Sequence, residues 1–291
     1  LVKGRIRQSL SGYYDIEVDG VEYRTRARGN FRKKGQTPLV GDWVEFKAKK
    51  PEEGYILKIY PRKNVMIRPP VANIDAAIVV TACKEPAFSS NLLDRQLVML
   101  EKNNIKPILY FSKEDLLTSA ESEEMSMVIS YYQKYYRCVY SKSDAPRAIL
   151  TGIKDDIVVV MGQTGAGKST LLNVLAPHLK LKTGEVSKAL SRGRHTTRKT
   201  ALLPIEGNLI ADTPGFSSFE LLDVAKEQLP LLFIDFAEKQ NQCRFRGCLH
   251  LNEPQCAVKE MVQTGEILES RYNNYVQFQN ELKRQKPKYK K

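Results

Sequence analysis

The chain has few histidines, one tryptophan and no long apolar run. In 291 residues there are three histidines and a single tryptophan, Trp43. The longest apolar stretches, such as Ala76-Ala77-Ile78-Val79-Val80 and Ile157-Val158-Val159-Val160-Met161, fall far short of the ~20 residues a membrane-spanning helix needs. No signal-peptide pattern opens the sequence, so a cytoplasmic protein without a membrane role is expected. Five cysteines are an odd count, and Cys243, Cys248 and Cys256 crowd into one 14-residue stretch with His250. That excludes a disulfide framework and favours a metal in a reducing compartment. Cys83 and Cys138 stand alone in apolar, strand-like segments, where burial without reactivity is expected. Acidic residues are also short, with 33 Asp+Glu against 46 Lys+Arg, a net charge of +13. Such an excess favours a polyanionic partner through counterion release, although a charge kept for solubility would give the same count.

The length suits two or three domains, expected over 1–70, 71–220 and 221–291. The first reads as all-β. Ile16 and Val18 alternate with polar residues up to Asp19-Gly20, and Val21, Tyr23, Thr25 and Ala27 then alternate with Glu22, Arg24, Arg26 and Arg28. An Asp-Gly pair between two period-2 segments signals a hairpin. Period 2 puts Arg24, Arg26 and Arg28 on one face, a candidate RNA surface. Further strands are expected over 40–46 and 55–59. Five or so short strands suggest an OB-type barrel, which commonly binds nucleic acid but also serves as a plain docking surface. Trp43 is expected in its core, with a base-stacking platform as the alternative.

From about 71 strands alternate with helices: strands over 75–81, 107–111, 138–140, 157–161 and 208–211, and helices over 90–101 and 119–135. The expectation is an α/β fold with a mostly parallel sheet. Leu93, Leu97 and Leu100 share one side of the first helix. Beyond about 220 the chain reads as helical, ending in a helix over 267–282 and a basic tail expected to be disordered.

The sequence Gly162-Gln163-Thr164-Gly165-Ala166-Gly167-Lys168-Ser169, followed by Thr170, lies between an apolar strand and a helix. This is a phosphate-binding loop. Its glycines let the backbone wrap phosphates, and the N–H groups of the loop and helix start point inward. Lys168 is expected to reach the β and γ phosphates and Ser169 to meet Mg²⁺. Asp212-Thr213-Pro214-Gly215 follows about 45 residues later. There Asp212 would hold the magnesium through water, and Gly215 would offer its N–H to the γ phosphate. Ser112-Lys113-Glu114-Asp115 reads as a guanine motif. Asp115 accepts from the ring N–H and exocyclic amine that guanine has and adenine lacks, and Lys113 stacks along the base. Ser112 stands where most GTPases have Asn. Being shorter, it is expected to lose one tether to the phosphate loop. Ser141-Lys142 fits a weaker fifth motif at the guanine carbonyl. The guanine motif precedes the phosphate loop by about fifty residues, the reverse of the ordinary order. A circularly permuted GTPase domain is therefore expected.

Ser191-Arg192-Gly193-Arg194-His195-Thr196-Thr197-Arg198 should be the first switch, in which Thr196 or Thr197 would ligate Mg²⁺ and order the loop. After Asp-x-x-Gly, many GTPases place a Gln that orients the attacking water, but here Phe216 cannot. His195 is the nearest candidate for that role, with solvent exposure or an RNA contact as alternatives. A slow basal rate raised by a partner is expected. Cys243, Cys248, His250 and Cys256 match a closed structural zinc site, and Arg244, Arg246 and Lys259 suggest a phosphate-facing surface around it. In the permuted order the zinc domain hangs directly from the second switch, so the γ phosphate is expected to reposition it.

Taken in one order, Val40-Gly41-Asp42-Trp43-Val44, Ser112-Lys113-Glu114-Asp115, the phosphate loop, Gly193-Arg194-His195-Thr196-Thr197, Asp212-Thr213-Pro214-Gly215-Phe216 and the Cys/Cys/His/Cys cluster followed by Ala257-Val258 resemble the ribosome-small-subunit-dependent GTPase A (RsgA) family of bacteria. The resemblance covers essentially the whole chain. It implies an N-terminal OB-fold, a permuted GTPase domain and a C-terminal zinc domain. It also implies late maturation of the 30S subunit, with GTP hydrolysis stimulated by that subunit and release afterwards. Binding to 16S rRNA and a monomeric state are expected alongside. A switch-I histidine proposed for catalysis maps onto His195. Guanosine tetraphosphate should fit a site that holds GDP. Two other readings stay open at this point: an RNA-binding assembly factor whose nucleotide is only structural, and an ATP-dependent phosphate-loop enzyme, which Asp115 opposes.

Overall fold

A computed structural model describes residues 1–29, 31, 35–67, 69–141, 148–154, 156–179, 200–211 and 224–284. The basic tail beyond Arg284 lies outside them, as does the boundary expected near 220. Five strands, β1 (Val2–Leu10), β2 (Tyr13–Val18), β3 (Val21–Ala27), β4 (Trp43–Lys50) and β5 (Glu53–Ile59), form the N-terminal barrel. Asp19 and Gly20 take φ of 50° and 77°, the left-handed pair that a tight hairpin needs, and β2 pairs with β3 from Tyr13↔Arg26 to Val18↔Val21. β1 pairs with β2 and β4, and β5 with β3 and β4, which closes the cylinder. Ile6, Ile16, Val44, Phe46 and Ile56 fill it, each fully buried. The alternation of β1 is faint in sequence because Gly4 takes an inward position, where a Cβ would come within 2.4 Å of Ile16.

Trp43 is not in this core. Val44 and Phe46 take the inward positions of β4, so Trp43 faces outward and is 38% exposed. The residues before it form a seam instead of a strand. Gly41 has φ +90°, and a Cβ there would lie 2.1 Å from the Ala72 carbonyl oxygen, an approach only glycine allows. Asn73 Nδ2 donates to the Gly41 carbonyl at 3.0 Å. Buried Asp42 accepts from Arg62 Nε and Nη2, both at 2.7 Å, and from the Leu39 N–H at 2.7 Å.

A two-stranded hairpin, β6 (Val65–Met66) and β7 (Val71–Ala72), leads into β8 (Ala76–Ala82), α1 (Ser90–Lys102), β9 (Lys106–Ser112), α2 (Ser119–Gln133), β10 (Arg137–Tyr140), β11 (Ile157–Gly162), α3 (Lys168–Leu175), β12 (Thr200–Ile205) and β13 (Asn208–Ala211). The strand order is β10-β9-β8-β11-β13-β12. All neighbours are parallel except β12, which runs antiparallel to β13. Cores on both faces explain the near-continuous apolar strands: Val79, Leu109 and Phe111 pack on one side, Ile78, Ile108 and Val158 on the other. β12 also pairs with β1 (Gln8↔Ala201, Ser9↔Thr200), which joins barrel and α/β domain in one 11-stranded sheet.

C-terminal helices α4 (Ile234–Lys239), α5 (Ala257–Gln263) and α6 (Glu269–Arg284) complete the described chain. Among the described residues no helix is long and apolar enough to cross a membrane. The helical unit is held to the α/β domain by Arg271, which is 1% exposed. Its Nε and Nη2 donate to Asp235 at 2.7 and 2.8 Å, and its Nη1 donates to Asp94 of α1. Asp94 also accepts from Tyr132 Oη and Asn274 Nδ2, each at 2.7 Å, while Tyr131 donates to Asp235. Arg95 and Glu281 add a bidentate pair at 2.7 and 2.8 Å. Removing the single cation leaves two buried carboxylates uncompensated. Arg271→Met should therefore lower stability by roughly 3–5 kcal/mol, seen as an earlier midpoint in urea. An unchanged midpoint would mean that the Arg271 ion pairs do not hold the helical unit in place.

Candidate nucleotide site and metal cluster

β11 is buried along its length between β8 and β13. It ends at Gly162, where φ is +142° and a Cβ would lie 2.1 Å from the Val80 carbonyl oxygen. A side chain there would push the strand end off β8. Gln163, Thr164 and Gly165 then project into solvent, and Ala166 turns inward. Gly167 takes φ +98° and starts α3 with no side-chain cap. Having no side chain, Gly167 puts no cap of its own over the first N–H groups of α3, as at a helix start that binds an anion. Lys168 Nζ donates to the Gly162 and Gln163 carbonyls, both at 2.8 Å, which lays the ammonium over the loop. Ser169 and Thr170 follow in the same turn.

The guanine motif lies at the end of β9, one strand away across β8. Here the structure corrects the expectation of a lost tether: Ser112 Oγ donates to the Ala166 carbonyl at 2.6 Å. Serine reaches because Ser112 sits almost against Gly167, where a Cβ would lie 3.6 Å from Oγ. Lys113 takes a left-handed φ of 60° and donates through Nζ to the Glu85 carbonyl. Asp115 is exposed on a single 3-10 turn, Glu114–Leu116. Ser141, just past β10, donates from Oγ to Glu114 Oε2 at 3.0 Å and from its N–H to the Phe111 carbonyl at 3.0 Å. Glu114 thus ties the fifth motif to the guanine motif, a role with no signal in a sequence where it only separates Lys113 from Asp115. Lys142, His195, Thr196 and Thr197 of the first switch, and Asp212, Gly215 and Phe216 of the second, lie outside the described residues.

Arg24 and Arg26 occupy the outer face of β3, and Arg28 follows the strand's end. Arg24 is already paired: it donates to buried Asp15 at 3.0 and 3.3 Å, which raises its pKa, first by the hydrogen bond and then by charge. Arg26 lies 4.4 Å over the Tyr13 ring.

Cys243, Cys248, His250 and Cys256 converge, their ligand atoms all within 4.8 Å of one another. His250 Nδ1 lies 3.2 Å from Cys256 Sγ and 3.6 Å from Cys243 Sγ, and the two sulfurs are 4.0 Å apart. Tyr272 Oη and Tyr275 Oη donate to the His250 and Leu249 carbonyls at 2.8 and 2.6 Å, and Glu253 accepts from the Leu249 and Leu251 N–H groups at 3.0 and 2.8 Å. Burial lowers the His250 pKa to about 4, so the imidazole stays neutral and able to ligate. The same burial pushes the Cys248 thiol up to about 12, a cost that a bound cation reverses. The donor set can hold a metal ion. Outside this cluster Cys83 is buried and Cys138 only partly so, but burial pushes both thiols up to about 12, as expected of unreactive cysteines.

A model of the RsgA GTPase matches residues 59–222, and one of the RsgA N-terminal domain matches residues 3–56. The chain belongs to the RsgA GTPase family. It is accordingly a GTP hydrolase with a circularly permuted GTPase domain. It is 57% identical, over 99% of both chains, to a Limosilactobacillus reuteri protein named small ribosomal subunit biogenesis GTPase RsgA. A protein of that name from Streptococcus pneumoniae is 49% identical over 100% of this chain and 98% of its own. Among solved structures, YloQ, a circularly permuted GTPase, matches with a TM-score of 0.80 and 39% identity, covering 99% of this chain and 96% of that one. YjeQ from Thermotoga maritima matches with a TM-score of 0.84 and 33% identity, covering 98% and 99%. In this RsgA-family chain the Ser112–Ala166 bond is a single hydrogen bond between base and phosphate motifs. Ser112→Ala should weaken GDP binding about 2- to 12-fold, the equivalent of one net hydrogen bond, in a titration with fluorescent GDP. Unaltered affinity would show that the tether is not needed to hold the nucleotide.

Proposed function

We propose that this chain hydrolyses GTP when it meets the small ribosomal subunit, binds 16S rRNA, and acts in the cytoplasm in late maturation of the 30S subunit, with GTP-dependent binding and release. The observation that carries the nucleotide half is the bond from Ser112 to Ala166, which puts the base-reading motif against the phosphate loop. The ribosomal half rests on the names of relatives that match this chain end to end.

In this reading the uncapped start of α3 and the loop N–H groups take the phosphates. Lys168 swings from the loop carbonyls to the β and γ phosphates. Asp115 reads guanine, Lys113 stacks on it, and Ser141 with Lys142 borders its carbonyl. Mg²⁺ bound with GTP neutralises phosphate charge, and Ser169, Asp212 and Thr196 or Thr197 are the residues that would hold it. Gly215 offers its N–H to the γ phosphate. Phe216 cannot orient water, so His195 takes that task. Arg24, Arg26 and Arg28 contribute phosphate contacts on the barrel.

Purified protein should turn GTP over slowly alone and much faster with 30S subunits, but not with 50S or 70S particles, and His195→Ala should abolish most of the stimulation. Stimulation by no particle would refute the ribosomal half. Asp115→Asn should shift preference from guanosine to xanthosine nucleotides, and unchanged selectivity would refute the base assignment.

The metal is proposed to be one structural Zn²⁺. A tetrahedron with metal–sulfur bonds of ~2.3 Å has edges of roughly 3.8 Å, close to the 4.0 Å between Cys243 and Cys256 sulfurs. Elemental analysis should find one zinc per chain and almost none in Cys248→Ser. Chelation should unfold the helical unit, and a metal-free protein with the same urea midpoint would overturn the assignment.

A further inference from the structure

We propose that the outer face made by β1, the start of β4 and the residue after β5 is a stacking site for unpaired bases of single-stranded RNA, separate from the arginine strand β3. The inference rests on the reading that the barrel meets rRNA, and it names where and how.

Trp43 is 38% exposed, with the Arg5 guanidinium 4.6 Å and the Lys3 ammonium 5.2 Å from its ring centre. Lys3 is also 5.0 Å from the Tyr60 ring, which carries Lys58 at 4.9 Å. These contacts follow from strand pairing. Arg5 is the cross-strand partner of Trp43, and the Tyr60 N–H donates to the Trp43 carbonyl at 2.9 Å. Two aromatic rings therefore sit side by side, bridged and flanked by three cations. One carboxylate, Glu45, lies across the strands from Lys3 and Lys58, and it makes no ion pair among the described residues. The face combines what sequence-tolerant binding of a single strand uses, flat rings for bases and cations for the backbone.

The face is also held in place. Asp42 directly precedes Trp43, and Arg62 lies two residues after Tyr60. Their ion pair, with both bonds at 2.7 Å, fixes the two aromatic positions together. Rings whose place is set before binding lose little entropy on stacking.

The arginine strand can add phosphate contacts but suits unpaired bases less well. Asp15 offsets the charge of Arg24, and Arg26 lies on Tyr13. Exposed Glu17, the cross-strand partner of Arg5, and exposed Glu22, the partner of Glu17, stand between the two faces. An RNA strand on Trp43 would therefore run along β4 and β1, not across onto β3.

Trp43 is the only tryptophan, so its emission in the full chain reports on this face alone. The probes are a fluorescently labelled single-stranded RNA of about a dozen nucleotides, the corresponding duplex, and inorganic polyphosphate. Single-stranded RNA should quench Trp43 along the same saturation curve as its own anisotropy, and duplex and polyphosphate should bind with little quenching. Trp43→Ala should weaken single-strand binding roughly 5- to 100-fold, the loss of one base–aromatic stack, and Trp43→Tyr should recover most of it. RNA binding with silent emission, or equal quenching by polyphosphate, would overturn the proposal in favour of charge alone. So would quenching by an acidic ribosomal-protein fraction but not by RNA. GTP turnover with 30S subunits, run on the same preparation, separates the two levels. Stimulated turnover with silent emission sinks only this site, whereas absent stimulation sinks the functional reading.

Discussion

The C-terminal ends of β8, β9 and β11 lie side by side, and the rest of the nucleotide site depends on this. Backbone contact sets the spacing: at Gly162 there is no room for a Cβ against Val80. With β11 pressed onto β8, and β9 paired with β8 on the other side through Ala82↔Ser112, Ser112 comes within 2.6 Å of Ala166. This resolves the permuted order of motifs. Parallel strands need only be neighbours in the sheet, and chain order does not decide which ends meet at the ligand crevice. Reversing base motif and phosphate loop along the chain leaves their spatial relation intact. What changes is where the chain leaves the domain, and so which partners it carries.

Much of this was legible in sequence because the signals were local. Period-2 alternation around Asp19-Gly20 identifies the hairpin, and glycine spacing identifies the phosphate loop. The cluster of soft ligands marks the metal centre. The failures share a physical cause. β1 hides because Gly4 replaces an apolar side chain at an inward position. Trp43 misleads because hydropathy favours burial, while the parity of β4 assigns the inside to Val44 and Phe46. The reach of Ser112 depends on how closely α3 starts to β9, a tertiary distance that no spacing encodes. Least legible is Arg271: a charged residue on a helix reads as solvated, yet here it is buried between carboxylates more than thirty residues away along the chain.

That buried cation constrains how the C-terminal unit can respond to nucleotide. In chain order the unit follows the second switch, which suggests a domain swung by the γ phosphate. In space it is anchored on α1 through Asp94, which takes Arg271, and on α2 through Tyr131, which donates to Asp235. Both helices begin at the guanine side. α1 follows the loop whose Glu85 carbonyl takes Lys113, and α2 starts directly after the Asp115 turn at Thr118, whose capping box uses Glu121. Swinging the unit away from α1 would strip Asp94 of its cation, at roughly the cost of breaking a buried ion pair, about 3–5 kcal/mol. A ligand can shift an equilibrium only by its differential affinity for the two states, and most allosteric couplings are about 1–3 kcal/mol. Detachment is therefore an expensive response to the γ phosphate alone.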